Sequence, residues 1–248
     1  MSALDFIRFQ GWPVTKLAVL HFNSALNSDL ILNSNTNMLE VNNLECIRGD
    51  RSLFTELSFS LKSGELLHLL GHNGSGKTTL LRTLCGLIKP NQGVVSWKGK
   101  NIRRQREEFA EEMQFIGHLN GIKADLTAVE NLRILCRLDS FDVSDDELWQ
   151  ALEKMGLYGH EDLAVGVLSQ GQKRRVTLAR LLLTKSPLWL LDEPFTALDK
   201  AAVDFLQTVI ADHIENGGMV ILTTHQDVGL TTGEVKQLRL GWKKDGDV

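Results

Sequence analysis

The alternation of apolar and polar residues predicts strands and helices along most of the chain. Residues 39–44 and 57–61 alternate apolar with polar side chains, which is typical of strands with one buried face. Residues 66–70 form an almost continuous apolar run, as a fully buried strand does. Residues 77–87 carry apolar side chains at helical spacing, so a helix follows this strand. A short hairpin is predicted to turn at Gly99.

The second half of the chain continues this pattern. Residues 127–138 predict a helix, and a capping box at Ser144 opens another. Apolar residues 188–191 and 219–222 predict two late buried strands, with a helix over residues 198–215 between them. Strands that alternate with helices favour a parallel sheet, and therefore an α/β fold.

Residues 1–37 differ from the rest of the chain. They include an Asn- and Ser-rich stretch and show no sustained periodicity. They also lack the basic start, apolar core and small-residue cleavage site of a signal peptide. We interpret them as a disordered extension or a wrongly chosen start, followed by one folded domain over residues 38–248.

Composition narrows the class of protein. The chain has 27 Lys and Arg against 31 Asp and Glu, a formal net charge of −4, which argues against broad nucleic-acid binding. With 43% hydrophobic residues it can bury a core, but no apolar run approaches the roughly 20 residues of a membrane-spanning helix. The three cysteines are far apart, so we expect free buried thiols and neither a disulfide framework nor a zinc site. They are Cys46, Cys85 and Cys136.

The first candidate site is a phosphate-binding loop between the buried strand and the helix that follows it. The sequence from Gly71 to Thr78 matches G-x-x-x-x-G-K-[ST]. In such a loop backbone N–H groups surround phosphate oxygens, and the helix N-terminus favours anions. Lys77 is predicted to pair with the β- and γ-phosphates, and Thr78 to offer its hydroxyl to Mg²⁺. The predicted nucleotide-binding residues here are Gly71, His72, Asn73, Gly74, Ser75, Gly76, Lys77, Thr78 and Thr79.

Two acidic residues end the apolar strand over residues 188–191. Asp192 is predicted to reach Mg²⁺ beside the phosphate loop, and Glu193 to polarise the attacking water. Phosphoryl transfer suits this division of work, because its catalysis depends on positioning and charge placement. The chain has one phosphate loop and no internal repeat, so the sequence provides for one ATP site.

A further helix is predicted to begin after Leu168-Ser-Gln-Gly-Gln172, with Ser169 as its N-cap. Its start is a second anion-binding site, separate from the phosphate loop. We interpret the basic residues 173–175 as solvated helix charges. The apolar residues predicted on the buried side are Val176, Ala179, Leu182 and Leu183.

With these motifs the chain resembles the ATP-binding cassette (ABC) family. The L-S-G-G-Q signature appears as residues 168–172, the acidic strand end as Asp192 and Glu193, and the switch histidine as His225. The resemblance covers about residues 38–240. It implies a P-loop fold with a RecA-like parallel-sheet core, a small antiparallel β subdomain and a helical subdomain inserted at about residues 119–170.

The resemblance also implies a mechanism in which two copies of the chain pair head to tail around two ATP molecules. ATP and Mg²⁺ are the expected ligands. Glu193 would be the general base, His225 would contact the γ-phosphate, and Asp199 would lie at the dimer seam. The residues that would complete the ATP site of the second copy are Ser169, Gly171 and Gln172.

The chain departs from the common ABC pattern at two positions. Most cassettes have a glutamine that contacts Mg²⁺ and the attacking water in the loop that enters the helical subdomain. His118 stands there in this sequence, and its imidazole can donate or accept a hydrogen bond. In a shifted register Gln114 would take this role. Arg48 stands at the place of the adenine-stacking aromatic residue, where it either stacks on the base or is solvated.

These departures, the small domain and the sequence after the signature resemble one subfamily, CcmA, the ATPases of bacterial cytochrome c maturation. The resemblance implies a peripheral subunit on the cytoplasmic face of the inner membrane, bound to a CcmB-type permease and a CcmC-type haem-handling subunit. Hydrolysis would drive release or export of haem or of a haem-loaded chaperone. The histidines and cysteines have no haem-attachment spacing, so we expect no direct haem site. The negative net charge leads us to expect no nucleic-acid partner.

Three other functions share parts of this pattern. Another ABC export system, for lipid, drug or polysaccharide, would have the same catalytic motifs and is disfavoured only by His118, the small size and the local resemblance. A soluble ABC protein usually has two cassettes in one chain, or splits its motifs around a long coiled coil. This chain has one phosphate loop and no internal repeat, which disfavours that class. A small-molecule or nucleotide kinase would not need residues 168–172.

Overall fold

The structure, a computed structural model, describes residues 38–139, 141–225 and 234–241, so the interpretation of residues 1–37 lies outside the described residues. None of the helices in these ranges is long and apolar enough to span a membrane. The strands are β1 (Met38–Arg48), β2 (Arg51–Lys62), β3 (Glu65–Leu70), β4 (Gln92–Trp97), β5 (Lys100–Asn101), β6 (Met113–Ile116), β7 (Leu188–Asp192), β8 (Met219–Thr223) and β9 (Glu234–Arg239). The helices are α1 (Lys77–Leu84), α2 (Arg106–Glu111), α3 (Ala128–Leu138), α4 (Asp145–Lys154), α5 (Gln170–Leu178) and α6 (Lys200–Glu215), with 3₁₀ turns at Val165–Val167 and Ala179–Leu182.

The larger sheet is parallel and has the strand order β6-β7-β8-β3-β9. Its strands β7 and β8 are buried along their whole length, as their continuous apolar runs require. The predicted parallel sheet and its strands at β3, β7 and β8 are therefore confirmed. The flanking strands β6 and β9 were not predicted.

The smaller sheet is antiparallel and has the order β2-β1-β4-β5. Its β4–β5 hairpin turns at Gly99, whose φ of 76° is in the left-handed region, as predicted. Side chains of this sheet pack with helix α1 and with one face of the parallel sheet in a shared hydrophobic cluster. The cluster includes Trp97 from the antiparallel sheet, Leu84 from α1 and Leu190 from the parallel sheet.

Helices α3, α4 and α5 pack together as a helical layer. They share a second hydrophobic cluster with helix α6 and with side chains on the other face of the parallel sheet. Both α3 and α4 begin at capping boxes, from Thr127 and Ser144. In each, the side chains of the N-cap residue and of the glutamate three residues later accept hydrogen bonds from each other's backbone N–H groups. Leu148, Leu152 and Met155 are buried on one face of α4 or at its end, as predicted.

Helix α1 ends at Leu84, earlier than the predicted residue 87. Gly86 adopts a φ of 75°, and the N–H of Leu87 donates to the carbonyl of Arg82. This Schellman arrangement satisfies the last carbonyls and ends the helix.

Helix α6 begins at Lys200 and not at residue 198. Asp199 is extended and accepts a hydrogen bond from the N–H of Ala202 at 2.9 Å, so it is the N-cap.

Candidate functional site

Four neighbouring strands of the parallel sheet carry the predicted site residues at their carboxyl ends. β3 leads into the phosphate loop, β6 into His118, β7 into Asp192 and Glu193, and β8 into His225. Because parallel strands all end at the same edge, these residues lie around one crevice. The crevice is a cavity of about 600 Å³.

The cavity brings together most of the residues predicted for the nucleotide site. Every predicted residue of the phosphate loop lines it except Gly71 and Ser75, and so do the four residues from the other strand ends. Arg48 also lines it, next to Leu53. Leu53 and Thr196 were not predicted, because neither belongs to a motif.

The phosphate loop is shaped by glycines and closed around a lysine. Gly76 precedes helix α1 with a φ of 102°, and a Cβ there would lie 3.2 Å from Cβ of Leu53. Lys77 is only 8% exposed, and its Nζ donates to the carbonyl of Gly71 at 2.7 Å. The loop thus holds a positive charge at the start of a helix whose first turn contains no acidic residue, which favours an anion such as a phosphate.

Asp192 presents one bonded and one free carboxylate oxygen. Its Oδ1 accepts from the hydroxyl of Thr223 at 2.9 Å, and the same hydroxyl oxygen accepts from the N–H of Glu193 at 2.9 Å. Its Oδ2 is buried and has no hydrogen-bond partner among the described residues. A buried anionic oxygen without a partner is costly unless a cation binds it. Thr78 borders the same cavity, so this donor set fits Mg²⁺.

Glu193 has an unusual backbone conformation, and its carboxylate lies beside His225, which in turn lies beside Lys77. Its φ is 50°, a left-handed conformation that costs a non-glycine residue about 1–2 kcal/mol. Its Oε1 lies 3.4 Å from Nε2 of His225, which in turn lies 3.2 Å from Nζ of Lys77. The predicted base and the predicted γ-phosphate contact therefore face the same part of the cavity.

A buried arginine supports this edge of the sheet and was not predicted. Arg174 is only 3% exposed, so the interpretation of residues 173–175 as solvated charges was wrong at this position. Its guanidinium donates to the carbonyls of Asp192 and Glu193 and to that of Gly117. Burial lowers the pKa of Arg174 to about 10, while the carboxylates of Asp192 and Glu193 act in the opposite direction.

The structure places His118, and not Gln114, at the cavity. Gln114 is 1% exposed within β6 and donates to Oδ2 of Asp139 at 3.1 Å, so its amide is used in the protein interior. His118 is exposed and lines the cavity. The imidazole is therefore the side chain of this loop that can reach a bound nucleotide.

The signature residues do not line the cavity of their own chain. Ser169 and Gln172 form a capping box at the start of α5, with Gln172 N–H donating to Ser169 Oγ at 3.2 Å. A Cβ on Gly171 would lie 2.6 Å from the carbonyl of Ala197, so only glycine fits there. Ser169 and Gln170, at this helix start, are exposed.

An ion pair joins the signature helix to the start of α6. Arg175 on α5 binds the carboxylate of Asp199. The N–H of Ala202 and this arginine keep the pKa of Asp199 below its usual value.

Comparison with known proteins identifies the family. A family model described as ABC transporter matches residues 54–196, more than half of the chain. The cytochrome c biogenesis ATP-binding export protein CcmA of Dechloromonas aromatica is 54% identical over 204 residues, which are 82% of this chain and 100% of that protein. The protein with the same name in Nitrosomonas europaea is 52% identical over 203 residues, or 82% of this chain and 95% of that one.

Solved structures agree with these relatives. An ABC transporter ATP-binding protein from Pyrococcus furiosus matches with a TM-score of 0.70 at 25% identity, over 81% of this chain and 97% of that one. A dimeric ATP-binding cassette with bound ADP and phosphate has the same fold, with a TM-score of 0.70 at 22% identity, over 83% and 97% of the two chains. The chain therefore belongs to the ABC transporter family of ATP-binding proteins, in the group whose members are named CcmA.

Proposed function

We propose that this ABC ATPase drives a cytochrome c biogenesis export system at a membrane. The observation that carries the proposal is the cavity at the carboxyl edge of the parallel sheet, which combines the phosphate loop, two carboxylates and two histidines. The relatives that are about half identical over their full length are named cytochrome c biogenesis ATP-binding export proteins.

The arrangement supports hydrolysis of the γ-phosphate of ATP. Lys77 would hold the β- and γ-phosphates, and His225, 3.2 Å from its Nζ, would contact the γ-phosphate. Water attacks the γ-phosphorus, its proton passes to the Glu193 carboxylate, and the bond to the bridging oxygen of ADP breaks. His118 would hydrogen-bond the attacking water from the other side of the cavity.

Thr78 and Asp192 would hold Mg²⁺, which neutralises phosphate charge when bound. The unpaired Oδ2 of Asp192 supports this assignment. Removal of Mg²⁺ by a chelator would then stop hydrolysis.

A complete catalytic site would need two copies of the chain. Ser169, Gly171 and Gln172 lie outside the cavity of their own chain and at the start of helix α5. In a head-to-tail pair they would meet the phosphates bound by the second copy. The solved cassette dimer with ADP and phosphate has the same fold and is consistent with such a pair.

The partners we propose are a CcmB-type permease and a CcmC-type haem-handling subunit, at the cytoplasmic face of the inner membrane. ATP hydrolysis would drive release or export of haem or of a haem-loaded chaperone. This chain would supply the energy of ATP hydrolysis, and would itself have no haem site and no nucleic-acid partner.

A deletion strain stained for covalently bound haem tests this function. The strain is complemented with the full chain, with a chain that begins at Met38, with the Glu193→Gln variant, and with Arg133→Lys as a surface control. Arg133 forms an exposed ion pair with Asp145 on the helical layer. Immunoblotting checks that each chain accumulates.

We expect c-type cytochromes to disappear in the deletion strain, to return with the full chain, the Met38 chain and the control, and to stay absent with Glu193→Gln. Unchanged cytochromes in the deletion strain would overturn the proposed pathway. The ATPase would then belong to another export system, for lipid, drug or polysaccharide.

A further inference from the structure

Arg174 uses all of its hydrogen-bonding capacity on the parts of the active site. A guanidinium carries five N–H donors, and the structure gives this one five acceptors, four of them backbone carbonyls. Nε donates to Pro194 O at 3.4 Å, Nη1 to Gly117 O at 2.9 Å and Asn120 Oδ1 at 3.3 Å, and Nη2 to Asp192 O at 3.2 Å and Glu193 O at 3.0 Å.

These acceptors belong to two segments that are distant in sequence. Asp192, Glu193 and Pro194 follow strand β7, whereas Gly117 and Asn120 flank His118 after strand β6. Arg174 itself belongs to helix α5, directly after the signature residues. One buried side chain therefore joins the signature helix, the main chain of the predicted base and the loop of His118.

We infer that Arg174 is a positioning residue for ATP hydrolysis, which acts by holding the main chain of Glu193 and the His118 loop in register across the cavity. The inference rests on the proposed role of Glu193 as the general base. It adds a residue that does not itself line the cavity.

The backbone of Glu193 explains why such a support is needed. A non-glycine residue in the left-handed region relaxes unless its surroundings hold it. Three hydrogen bonds hold its main chain here: the Glu193 N–H donates to Thr223 Oγ1 at 2.9 Å, and its carbonyl accepts from Arg174 at 3.0 Å and from the N–H of Thr196 at 3.3 Å. The first comes from the neighbouring strand and the third from the turn that follows Glu193. Among the described residues, only the bond from Arg174 connects this main chain to the signature helix.

Arginine is suited to this position in a way that lysine is not. Lysine has three donors on a single flexible nitrogen, whereas the planar guanidinium directs five donors at acceptors on two sides. A lysine at position 174 would keep the charge but could not bond Gly117 and Glu193 together with the other acceptors. The unmatched carbonyls would then be free to shift.

The test compares Arg174→Lys and Arg174→Gln with the wild-type chain, and uses Arg133→Lys as the matched control. Arg133 has the same side chain but donates to Asp145 Oδ1 at 2.7 Å on the surface. Steady-state kinetics give kcat and KM, and binding of a fluorescent ATP analogue to the single chain gives Kd. We expect kcat of Arg174→Lys to fall by between about tenfold and about 100-fold, as for a misplaced catalytic group. Kd should be unchanged, because the phosphate loop is intact, and the control should match wild type.

A double-variant cycle separates positioning from general damage. In the Glu193→Gln background the base is already absent, so adding Arg174→Lys should lower the residual hydrolysis by no more than about twofold. An equal loss in both backgrounds would overturn the inference, and so would a wild-type kcat in Arg174→Lys.

The remaining outcomes are also decisive. A rise in Kd that matches the fall in kcat/KM would show that Arg174 serves nucleotide binding instead. Loss of cooperative unfolding in both Arg174 variants would show that the residue is required for folding, which also overturns the inference. Normal turnover by Glu193→Gln alone would reject the proposed base, and with it this role of Arg174, whatever the Arg174 variants do.

Discussion

His118 is the residue whose predicted role depends most on its chemistry. It is exposed at the cavity, where most cassettes are expected to have a glutamine. An imidazole and a carboxamide can each donate and accept a hydrogen bond, whereas alanine can do neither. The side chain is therefore predicted to act as a hydrogen-bonding group.

We expect His118→Gln to keep kcat within about tenfold of wild type. His118→Ala should lose a further factor of about 10, the equivalent of one hydrogen bond. Steady-state ATPase assays of the two variants, side by side, measure this difference. Equal losses in both would show that glutamine cannot replace the imidazole and that its ring has a specific function.

At the residue scale the sequence predicted most of the residues that line the cavity, but not the arginine that supports them. Lys77, Asp192 and Glu193 belong to motifs whose spacing indicates their chemistry, and the structure gathers them at one cavity. Arg174 follows a lysine and precedes another arginine, a pattern typical of a solvated helix face. Its burial depends on backbone carbonyls in the loops after β6 and β7, which are remote in sequence. The local pattern of residues around Arg174 carries no information about them.

At the element scale, helices α4 and α5 begin with the same capping box but in different surroundings. Ser144 caps a helix within the helical layer, and Ser169 caps the signature helix. Each serine accepts a hydrogen bond from a backbone N–H three residues later, at 3.3 and 3.2 Å. Their contributions to stability should therefore be similar and their contributions to activity different.

We expect Ser144→Ala and Ser169→Ala each to lower the free energy of unfolding by about 1 kcal/mol, because each removes one N-cap. Only Ser169→Ala should lower the ATPase rate strongly, since its helix start would meet the phosphates of a second copy. Urea unfolding and ATPase assays measure the two effects, with Ser52→Ala on β2 as the exposed control. An ATPase loss of the same size in Ser144→Ala would contradict the assignment.

The contact between helix α6 and strand β7 makes stability depend on pH. The His213 ring stacks on Trp189 with centroids 3.7 Å apart and planes 6° from parallel. Burial lowers the pKa of His213 from 6.5 to about 4. Below pH 6.5 the unfolded chain binds this proton and the folded chain does not, so the folded state loses stability as the pH falls towards 4.

We expect the free energy of unfolding to fall between pH 7 and pH 5 by up to about 2 kcal/mol more in wild type than in His213→Gln. Urea midpoints at the two pH values measure this difference. Parallel pH dependence in both proteins would show that the proton on His213 has no part in it.

Element ends and sheet edges were the parts of the fold that the sequence predicted least well. The internal strands β7 and β8 are buried on both faces, and their apolar runs identify them. In the edge strand β9 the exposure alternates but the residue types do not follow it, because Val235 is exposed and Lys236 is half-buried. The sequence therefore shows no apolar–polar alternation there. Helix α1 ends through a glycine motif that apolar spacing does not register.

At the scale of the whole molecule, the separation of the phosphate loop from the signature suggests that each functional site uses two chains. A variant with a damaged phosphate loop and a variant with a damaged signature would then complement each other. In a mixed head-to-tail dimer one site contains both damaged parts, and the other contains the intact loop and the intact signature.

We expect Lys77→Ala and Ser169→Arg to be inactive separately and to regain ATPase activity when they are mixed. ATP hydrolysis measured against the mixing ratio should be highest near equal amounts. Lys77→Ala mixed with Lys77→Ala/Ser169→Arg is the control, because none of its dimers contains an intact site. Absence of recovery at every ratio would contradict the shared site.

The position of β3 within the parallel sheet has a consequence for biosynthesis. β3 supports the phosphate loop, yet both of its neighbours, β8 and β9, come from the far end of the described chain. The antiparallel sheet, in contrast, pairs only segments within residues 38–101. On the ribosome that sheet can form early, while β3 lacks both neighbours until residue 239 has emerged. We therefore expect the phosphate loop to be among the last parts of a nascent chain to form, and a chain whose translation stops before β9 to hydrolyse no ATP.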